Sequence, residues 1–331
     1  MSERALLELK ELRVGFRRNG VVQDVLHGLN LTVHKGEAVG LVGESGSGKS
    51  VAALSVMRLL GRDGVITGGK ILLDGTDLTQ LSTPHIRKLR GKDVSMIFQD
   101  PSTALNPAFT VGTQLRDVIK AHRDMVGPQI EKEALEVLER VGFAEPPRVL
   151  RAYSHELSGG MRQRAMIAMA IACKPRLVLA DEPTTALDVT VQAQIVELLR
   201  RLVKELDLAL VFITHNLDLM GELCDRAVVL YRGRVMESGP TVDLFERPSH
   251  PYTQLLFDSI PRLDQASERT GIAMSARVTP AWQQAGAGAN AGCSFAPRCV
   301  WSQDRCRERQ PALVTDGKRE VACWRAVELQ S

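Results

Sequence analysis

One stretch constrains the fold of this chain more than any other. An apolar run, Ala38 to Val42, leads into Gly43-Glu44-Ser45-Gly46-Ser47-Gly48-Lys49-Ser50, and a helical stretch from Val51 to Leu60 follows. The GxxxxGK[ST] pattern carries meaning only in that strand-to-helix setting. Its glycines let the backbone turn sharply, so that successive N–H groups converge on phosphate oxygens at a helix N-terminus, where the dipole also favours anions. Lys49 would then reach the β- and γ-phosphates, and the Ser50 hydroxyl would bind Mg2+. The bland reading, a glycine-rich turn without a ligand, is weakened by the flanking strand and helix.

The surrounding sequence reads as α/β. From about residue 5 to 245, short apolar runs bounded by glycine alternate with longer amphipathic stretches, which predicts a largely parallel sheet. Strand candidates are Ala38 to Val42, Leu177 to Ala180, Leu208 to Thr214 and Ala227 to Tyr231, all continuous apolar runs, as in strands buried on both faces. Between Pro107 and Ser158 the alternation lapses, and Gln129 to Val141 shows helical spacing with charges on one side, predicting a helical insertion. Past residue 245, SARVTPAWQQAGAGANAG reads as a linker, and a small appended domain with four of the six cysteines is predicted beyond it.

Composition excludes some classes. The net charge of +3 is spread along the 331 residues, so no arm is built to wrap nucleic acid or an anionic membrane. The N-terminus, MSERALLELKELRV, has charges among its apolar residues, and no apolar stretch elsewhere is long enough to span a bilayer. A cytoplasmic protein is expected, and in a reducing compartment clustered cysteines more often bind metal than form disulfides.

Leu177 to Ala180 ends in Asp181 and Glu182. In P-loop NTPases a strand-end aspartate holds the Mg2+ shell, which selects Asp181. Glu182 faces another way and could accept a proton from the attacking water. An ordinary acid pair at a helix N-terminus gives the same pattern. His215 ends LVFITH, at the sheet edge where a γ-phosphate would lie, and Gln99 ends VSMIFQ. Either alone is more often a satisfied structural group, and they gain weight only together.

Leu157-Ser158-Gly159-Gly160-Met161-Arg162-Gln163-Arg164 closely resembles the LSGGQ signature of ABC transporter ATPases. The family order is complete: phosphate loop, Q-loop glutamine Gln99, signature, Walker B residues Asp181 and Glu182, D-loop Ala186-Leu187-Asp188 and switch histidine His215. Met161 stands where the general signature has glutamine, a departure frequent in the peptide-importer branch. Ser158 and the glycines sit where a helix would begin, a second anion cradle. The resemblance implies an ATP-binding set of Phe16, Gly43, Ser45, Gly46, Ser47, Gly48, Lys49, Ser50, Val51 and Asp181, with Mg2+ held through Ser50, Gln99 and Asp181. Phe16 would stack on adenine, or else is simply core. Catalytic roles fall to Glu182, His215 and Gln99. Ser158, Gly159, Gly160 and Asp188 would act on ATP held by a partner subunit in a closed dimer, and DPSTALNPAFTVG would couple closure to a membrane subunit.

The tail narrows the resemblance. Glu246-Arg247-Pro248-Ser249-His250-Pro251-Tyr252-Thr253-Gln254-Leu255-Leu256, followed by cysteines, looks like the ATPases of oligopeptide and dipeptide importers, a branch that includes nickel and glutathione systems. Cys293, Cys299, Cys306 and Cys323 have five, six and sixteen residues between them, and Arg298, Arg305, Arg307 and Arg309 could offset four thiolates. Related ATPases carry a [4Fe–4S] cluster at such a motif, so the resemblance implies one here, in a structural or regulatory role. The spacing matches neither the short ferredoxin run nor usual structural zinc, and zinc or free thiols stay open. Cys173 and Cys224 read as core. The implied organisation is a P-loop nucleotide-binding domain over residues 5–245, with a helical subdomain at about 100–160, and an extension over 246–331. The implied partners are two membrane-spanning permeases, a second related ATPase or another copy of this chain and, indirectly, an external solute-binding protein, with no nucleic acid, at the cytoplasmic face of the membrane. Import of nickel, glutathione or another small solute is the alternative. A soluble ABC ATPase of repair or translation would usually show two modules or a long coiled-coil insert, and a plain P-loop kinase or GTPase leaves the LSGG segment unexplained.

Overall fold

Two fourteen-residue strands, β1 (Ala5–Arg18) and β2 (Val21–His34), pair as a hairpin through Asn19 and Gly20, both at positive φ. The strand expected before the phosphate loop is β3 (Ala38–Val42), and the loop runs directly into α1 (Lys49–Val56). The hairpin β4 (Gly64–Leu73) and β5 (Thr76–Asp77) follows, then α2 (Thr83–Leu89) and β6 (Val94–Ile97). The expected helical insertion is α3 (Pro101–Ala104), α4 (Val111–His122), α5 (Gly127–Arg140), α6 (Pro146–Arg151) and α7 (Gly159–Ile171). Alternation resumes with β7 (Leu177–Asp181), α8 (Val189–Leu206), β8 (Ala209–Thr214), α9 (Leu217–Leu223) and β9 (Arg226–Tyr231). β10 (Arg234–Pro240), α10 (Thr241–Glu246) and α11 (Pro251–Asp258) precede a C-terminal module of α12 (Asp304–Glu308), β11 (Val314–Asp316) and β12 (Arg319–Val321). This computed structural model describes residues 4–185, 187–258 and 292–326, so Ala186 of the D-loop and residues 275–291 of the expected linker lie outside the described residues.

Among the described residues the strands form two sheets, ordered β2-β1-β4-β5 and β11-β12-β10-β9-β3-β8-β7-β6. The expected parallel sheet is the run β9-β3-β8-β7-β6. The antiparallel sheet from the first third of the chain is an addition to that expectation. Within the parallel strands alternate residues serve two cores, as the period of two requires. Leu177 and Leu179 face the core shared with the antiparallel sheet and α1, whereas Val178 and Ala180 face the core filled by α4 to α9.

The C-terminal module is fastened to the central sheet. β12 pairs antiparallel with β10 (Glu237↔Val321, Ser238↔Glu320), and Phe295 is 1% exposed in the same core as Tyr231 and Tyr252. These three rings form a cluster with centroids 4.6 to 5.5 Å apart, in the tilted and edge-on arrangements that ring quadrupoles favour. Buried Glu237 on β10 accepts the backbone N–H groups of Ser249 and His250, each at 2.9 Å, which draws the turn before α11 onto the sheet.

Candidate active site

The carboxyl ends of β3, β6, β7 and β8 meet at one edge of the sheet, and each delivers a residue one or two positions beyond its end to a common cleft. Gly43 begins the phosphate loop after β3, and only glycine fits there: at φ +155° a Cβ would stand 2.1 Å from the Leu230 carbonyl oxygen. Gly46 and Gly48 also take positive φ, and the loop closes onto the first turn of α1. An open cavity of about 540 Å3 lies over it, lined by Ser45, Gly46, Gly48, Lys49, Ser50, Val51, Gln99, Glu182, His215 and Val25.

Lys49 is nearly buried, and its Nζ donates to the carbonyls of Gly43 (2.7 Å) and Glu44 (3.0 Å). Burial lowers its pKa, opposed by the charges of Glu182, Asp181 and Glu44. The ammonium is thus held among carbonyls at the cavity floor, where a polyanion would be its natural counter-charge. Ser50 Oγ donates to Asp181 Oδ1 at 2.9 Å, although the two are 131 residues apart. Burial raises the Asp181 carboxyl above its ordinary value, with the Ser50 hydrogen bond acting against this. A hydroxyl and a carboxylate side by side at a phosphate cradle are the hard oxygen donors that Mg2+ takes, so these residues fit the ion.

Glu182 gathers the remaining groups. Its Oε2 receives Gln99 Nε2 at 3.1 Å and Thr185 Oγ1 at 3.0 Å, and His215 Nδ1 stands at 3.3 Å. The backbone at Glu182 is left-handed, φ 46°, a costly conformation for a non-glycine residue that turns its side chain out of the strand direction and into the cleft. The sequence pairs these residues only by order along the chain, and the fold brings Gln99, Glu182 and His215 onto one oxygen. Thr185 and Val25 were not singled out by sequence. Thr185 lies between the acidic pair and the D-loop, close to both motifs, but Val25 lies on β2, for which no motif exists.

Other expected residues stand apart from the cavity. Phe16 is half-buried on β1, paired with Gln23 and Gly64, while Val25 forms the wall from that sheet. Ser158 is exposed and caps α7, its Oγ accepting from the Met161 N–H at 3.3 Å, so the signature does begin a helix. A Cβ at Gly160 would meet Val191 Cγ1 at 2.8 Å, which is why the second glycine is small. Asp188 caps α8 through the Val191 N–H at 3.0 Å. None of Ser158, Gly159, Gly160 or Asp188 lines the cavity of its own chain.

The four clustered cysteines converge away from this cleft. Cys293, Cys299, Cys306 and Cys323 line one small pocket with Trp301, Phe295 and His250. Burial raises the thiols of Cys293, Cys299 and Cys323, that of Cys299 to about 11, while backbone N–H groups of Phe295, Ala296, Trp301 and Arg325 bond to these sulfurs and act against it. Among the described residues no three His, Cys, Asp or Glu side chains stand close enough to hold one metal ion. Cys224 is buried in the core, as expected, and its thiol is pushed up by burial, whereas Cys173 is only half-buried and is not part of either core.

Residues 26–185 match the family described as ABC transporter, and residues 236–306 match the family described as Oligopeptide/dipeptide transporter, C-terminal region. A putative peptide import ATP-binding protein of Brucella melitensis is 44% identical over 324 residues, 96% of each chain. A probable peptide ABC transporter ATP-binding protein of Sinorhizobium fredii is 44% identical over 332 residues, 98% of this chain and 96% of that one. Among solved structures, a dimeric ATP-binding cassette in a post-hydrolysis state bound to ADP and Pi superposes with TM-score 0.64 at 29% identity, covering 71% of this chain and 98% of that one. The cbiO1 subunit of Clostridium perfringens, part of the ABC transporter complex cbiONQ, gives TM-score 0.64 at 27% identity, covering 74% and 93%.

Proposed function

The chain belongs to the ABC transporter ATPases, and on that premise we propose that it powers the import of di- or oligopeptides through a membrane channel formed by other subunits. The observation that carries this reading is the joining, in one chain, of a built ATP site to a C-terminal region that matches oligopeptide and dipeptide transporters. Among the described residues no helix is long and apolar enough to cross a membrane, which is in keeping with two separate permease subunits. In this reading residues 5–245 are the nucleotide-binding domain, about 100–160 its helical subdomain and 246–331 the importer-type extension, at the cytoplasmic face. A second, related ATPase or a second copy completes the dimer, and an external binding protein delivers the solute.

The site residues divide the chemistry. Lys49 and the loop amides would hold the phosphates, and Ser50, Asp181 and Gln99 would hold Mg2+, which would offset phosphate charge. Glu182 takes a proton as water attacks the γ-phosphorus and the bond to the β-phosphate oxygen breaks, releasing ADP. His215, Gln99 and Thr185 keep its carboxylate aimed into the cleft. Phe16 stacks against adenine. Ser158, Gly159 and Gly160, which stand outside their own cavity, close on the partner's ATP, with Asp188 at the same seam. ATP drives closure because it binds the closed pair better than the open one.

The cysteine pocket we assign to a [4Fe–4S] cluster in a structural or regulatory role. Four cysteines around one pocket, three of them with backbone amides bonded to their sulfurs, are the ligand set that supports this reading. Anaerobically purified protein is expected to contain about four iron atoms per chain and a broad visible absorption band, lost when the cysteines are replaced; zinc alone, or no metal, would reject the assignment. The importer itself is tested by isolating the chain from its native membranes in mild detergent and identifying copurifying proteins by mass spectrometry. Two multi-span permeases and a second ATPase are expected. Recovery only in the soluble fraction, with ribosomes or nucleic acid, would overturn the transport reading and leave the ATPase standing.

A further inference from the structure

A cation from the far end of the chain reaches the phosphate loop. Arg298 donates from Nη1 and Nη2 to the two carboxylate oxygens of Glu44, at 2.8 and 2.9 Å across 254 residues of sequence, and Nη1 also reaches Tyr231 Oη at 3.4 Å. Its guanidinium lies 5.6 Å from the centroid of the Tyr231 ring and 5.7 Å from that of Phe295. The side chain is 17% exposed, against 41% for Glu44. The turn that presents it, Ala296–Arg298, runs between Cys293 and Cys299 and is closed by Arg298 N–H to Phe295 O (2.9 Å) and Cys299 N–H to Ala296 O (3.2 Å). Phe295 anchors that turn in the core.

Glu44 needs such a partner. It is a carboxylate inside a loop whose task is to bind a polyanion, and like charges at that range oppose each other. Its own N–H is turned away to Tyr252 Oη at 2.9 Å, and its carbonyl takes Lys49 Nζ, so its backbone is fixed, and its carboxylate shares a pocket with Arg298 beside the loop residues Ser45, Gly46 and Ser47. We propose that Arg298 is a positioning residue of the ATP site: it neutralises and orients the Glu44 carboxylate, so that the phosphate loop presents net positive potential to the triphosphate.

The alternative is an ion pair that merely fastens the C-terminal module. The two separate in a double-mutant cycle on the full-length chain, with the dissociation constant of Mg-ATP and the steady-state ATPase rate as readouts. Arg298→Gln is expected to weaken Mg-ATP binding about tenfold, with kcat at saturating ATP changed less than about threefold. Glu44→Gln alone is expected to stay within about threefold of wild type, and Glu44→Gln/Arg298→Gln to recover to that level, because removing the carboxylate removes the need for the cation. The defect of Arg298→Gln should also shrink as salt is raised. Unchanged affinity in Arg298→Gln, or a double variant as weak as it, would overturn the proposal. Should Arg298→Gln fail to accumulate as folded protein, Arg298→Lys, which keeps the charge but loses the paired hydrogen bonds, is expected to weaken Mg-ATP binding severalfold and to recover when Glu44→Gln is added; a loss that Glu44→Gln leaves unrelieved would equally reject the proposal.

Discussion

Lys49 and Glu182 make the sharpest claims at the scale of single residues. Lys49 is a buried cation whose hydrogen bonds, among the described residues, go to two carbonyl oxygens of its own loop, with the carboxylates of Glu182, Asp181 and Glu44 near enough to favour its charge against burial. Lys49→Ala is expected to weaken ATP binding by about ten- to hundredfold, read by titration with a fluorescent ATP analogue, because a charge-assisted hydrogen bond is lost. Affinity equal to wild type would mean that the loop does not hold the phosphates. Glu182→Gln keeps the side chain's shape and removes its basicity. Hydrolysis should fall by about 10² to 10⁴ while ATP binding persists, and the variant should accumulate as an ATP-bound dimer in size-exclusion chromatography. Near-normal turnover would take Glu182 out of the proton transfer. These two residues were legible in the sequence because motif chemistry fixes their types at short spacing. The Arg298–Glu44 pair was not, because no local pattern links residues 254 positions apart, and only packing of the Tyr231, Tyr252 and Phe295 rings brings them together.

At the scale of elements, what could be read depended on how a strand is buried. β3, β7, β8 and β9 are covered on both faces, so each is an unbroken apolar run that announces itself, to within a residue or two at the ends. β1 and β2 have one covered face, and their register shifts between Leu9 and Leu12 and between Val14 and Gly15. Those irregularities break the period of two that would have revealed them, and Lys10, Glu11 and Arg13 mask the rest. β10 was also missed as a junction. Its Glu237 carboxylate carries two backbone N–H groups of the turn before α11, and Glu237→Ala would leave both buried without an acceptor. That change is expected to cost about 2–4 kcal/mol, measured by urea unfolding. The pH dependence has a definite sign. Burial raises the Glu237 carboxyl above its ordinary value, so its ionised form works against folding: the penalty is absent below the ordinary carboxylate range and grows as pH climbs through the raised value. The gap between wild type and Glu237→Ala should therefore be wider in acid than at neutral pH. A gap that is constant, or wider at neutral pH, would contradict the sign.

The whole molecule shows what composition leaves unsaid. Proline, glycine and alanine past residue 245 predict a linker and a small appended domain, and residues 292–326 extend the central sheet through β12 and fill its core with Phe295. Composition reports how a connection behaves and not where its far end docks, and docking is decided by surfaces that are assembled only in three dimensions. A chain ending at Asp258 would leave the β10 edge open and the Tyr231 and Tyr252 rings partly uncovered. It is expected to melt at lower temperature and to self-associate in light scattering, because an unpaired edge and an apolar patch both invite contacts; a truncated chain as stable and monodisperse as the full one would show the module to be an ornament. The ring cluster and the Arg298–Glu44 pair also give the protein a direction in time. On the ribosome the phosphate loop is made early and its counter-charge late, so a nascent or prematurely terminated chain carries a nucleotide loop still burdened by its own carboxylate. On the proposal above, full affinity for ATP is a property of the finished polypeptide, and fragments that stop short of the cysteine module would hold nucleotide about tenfold more weakly.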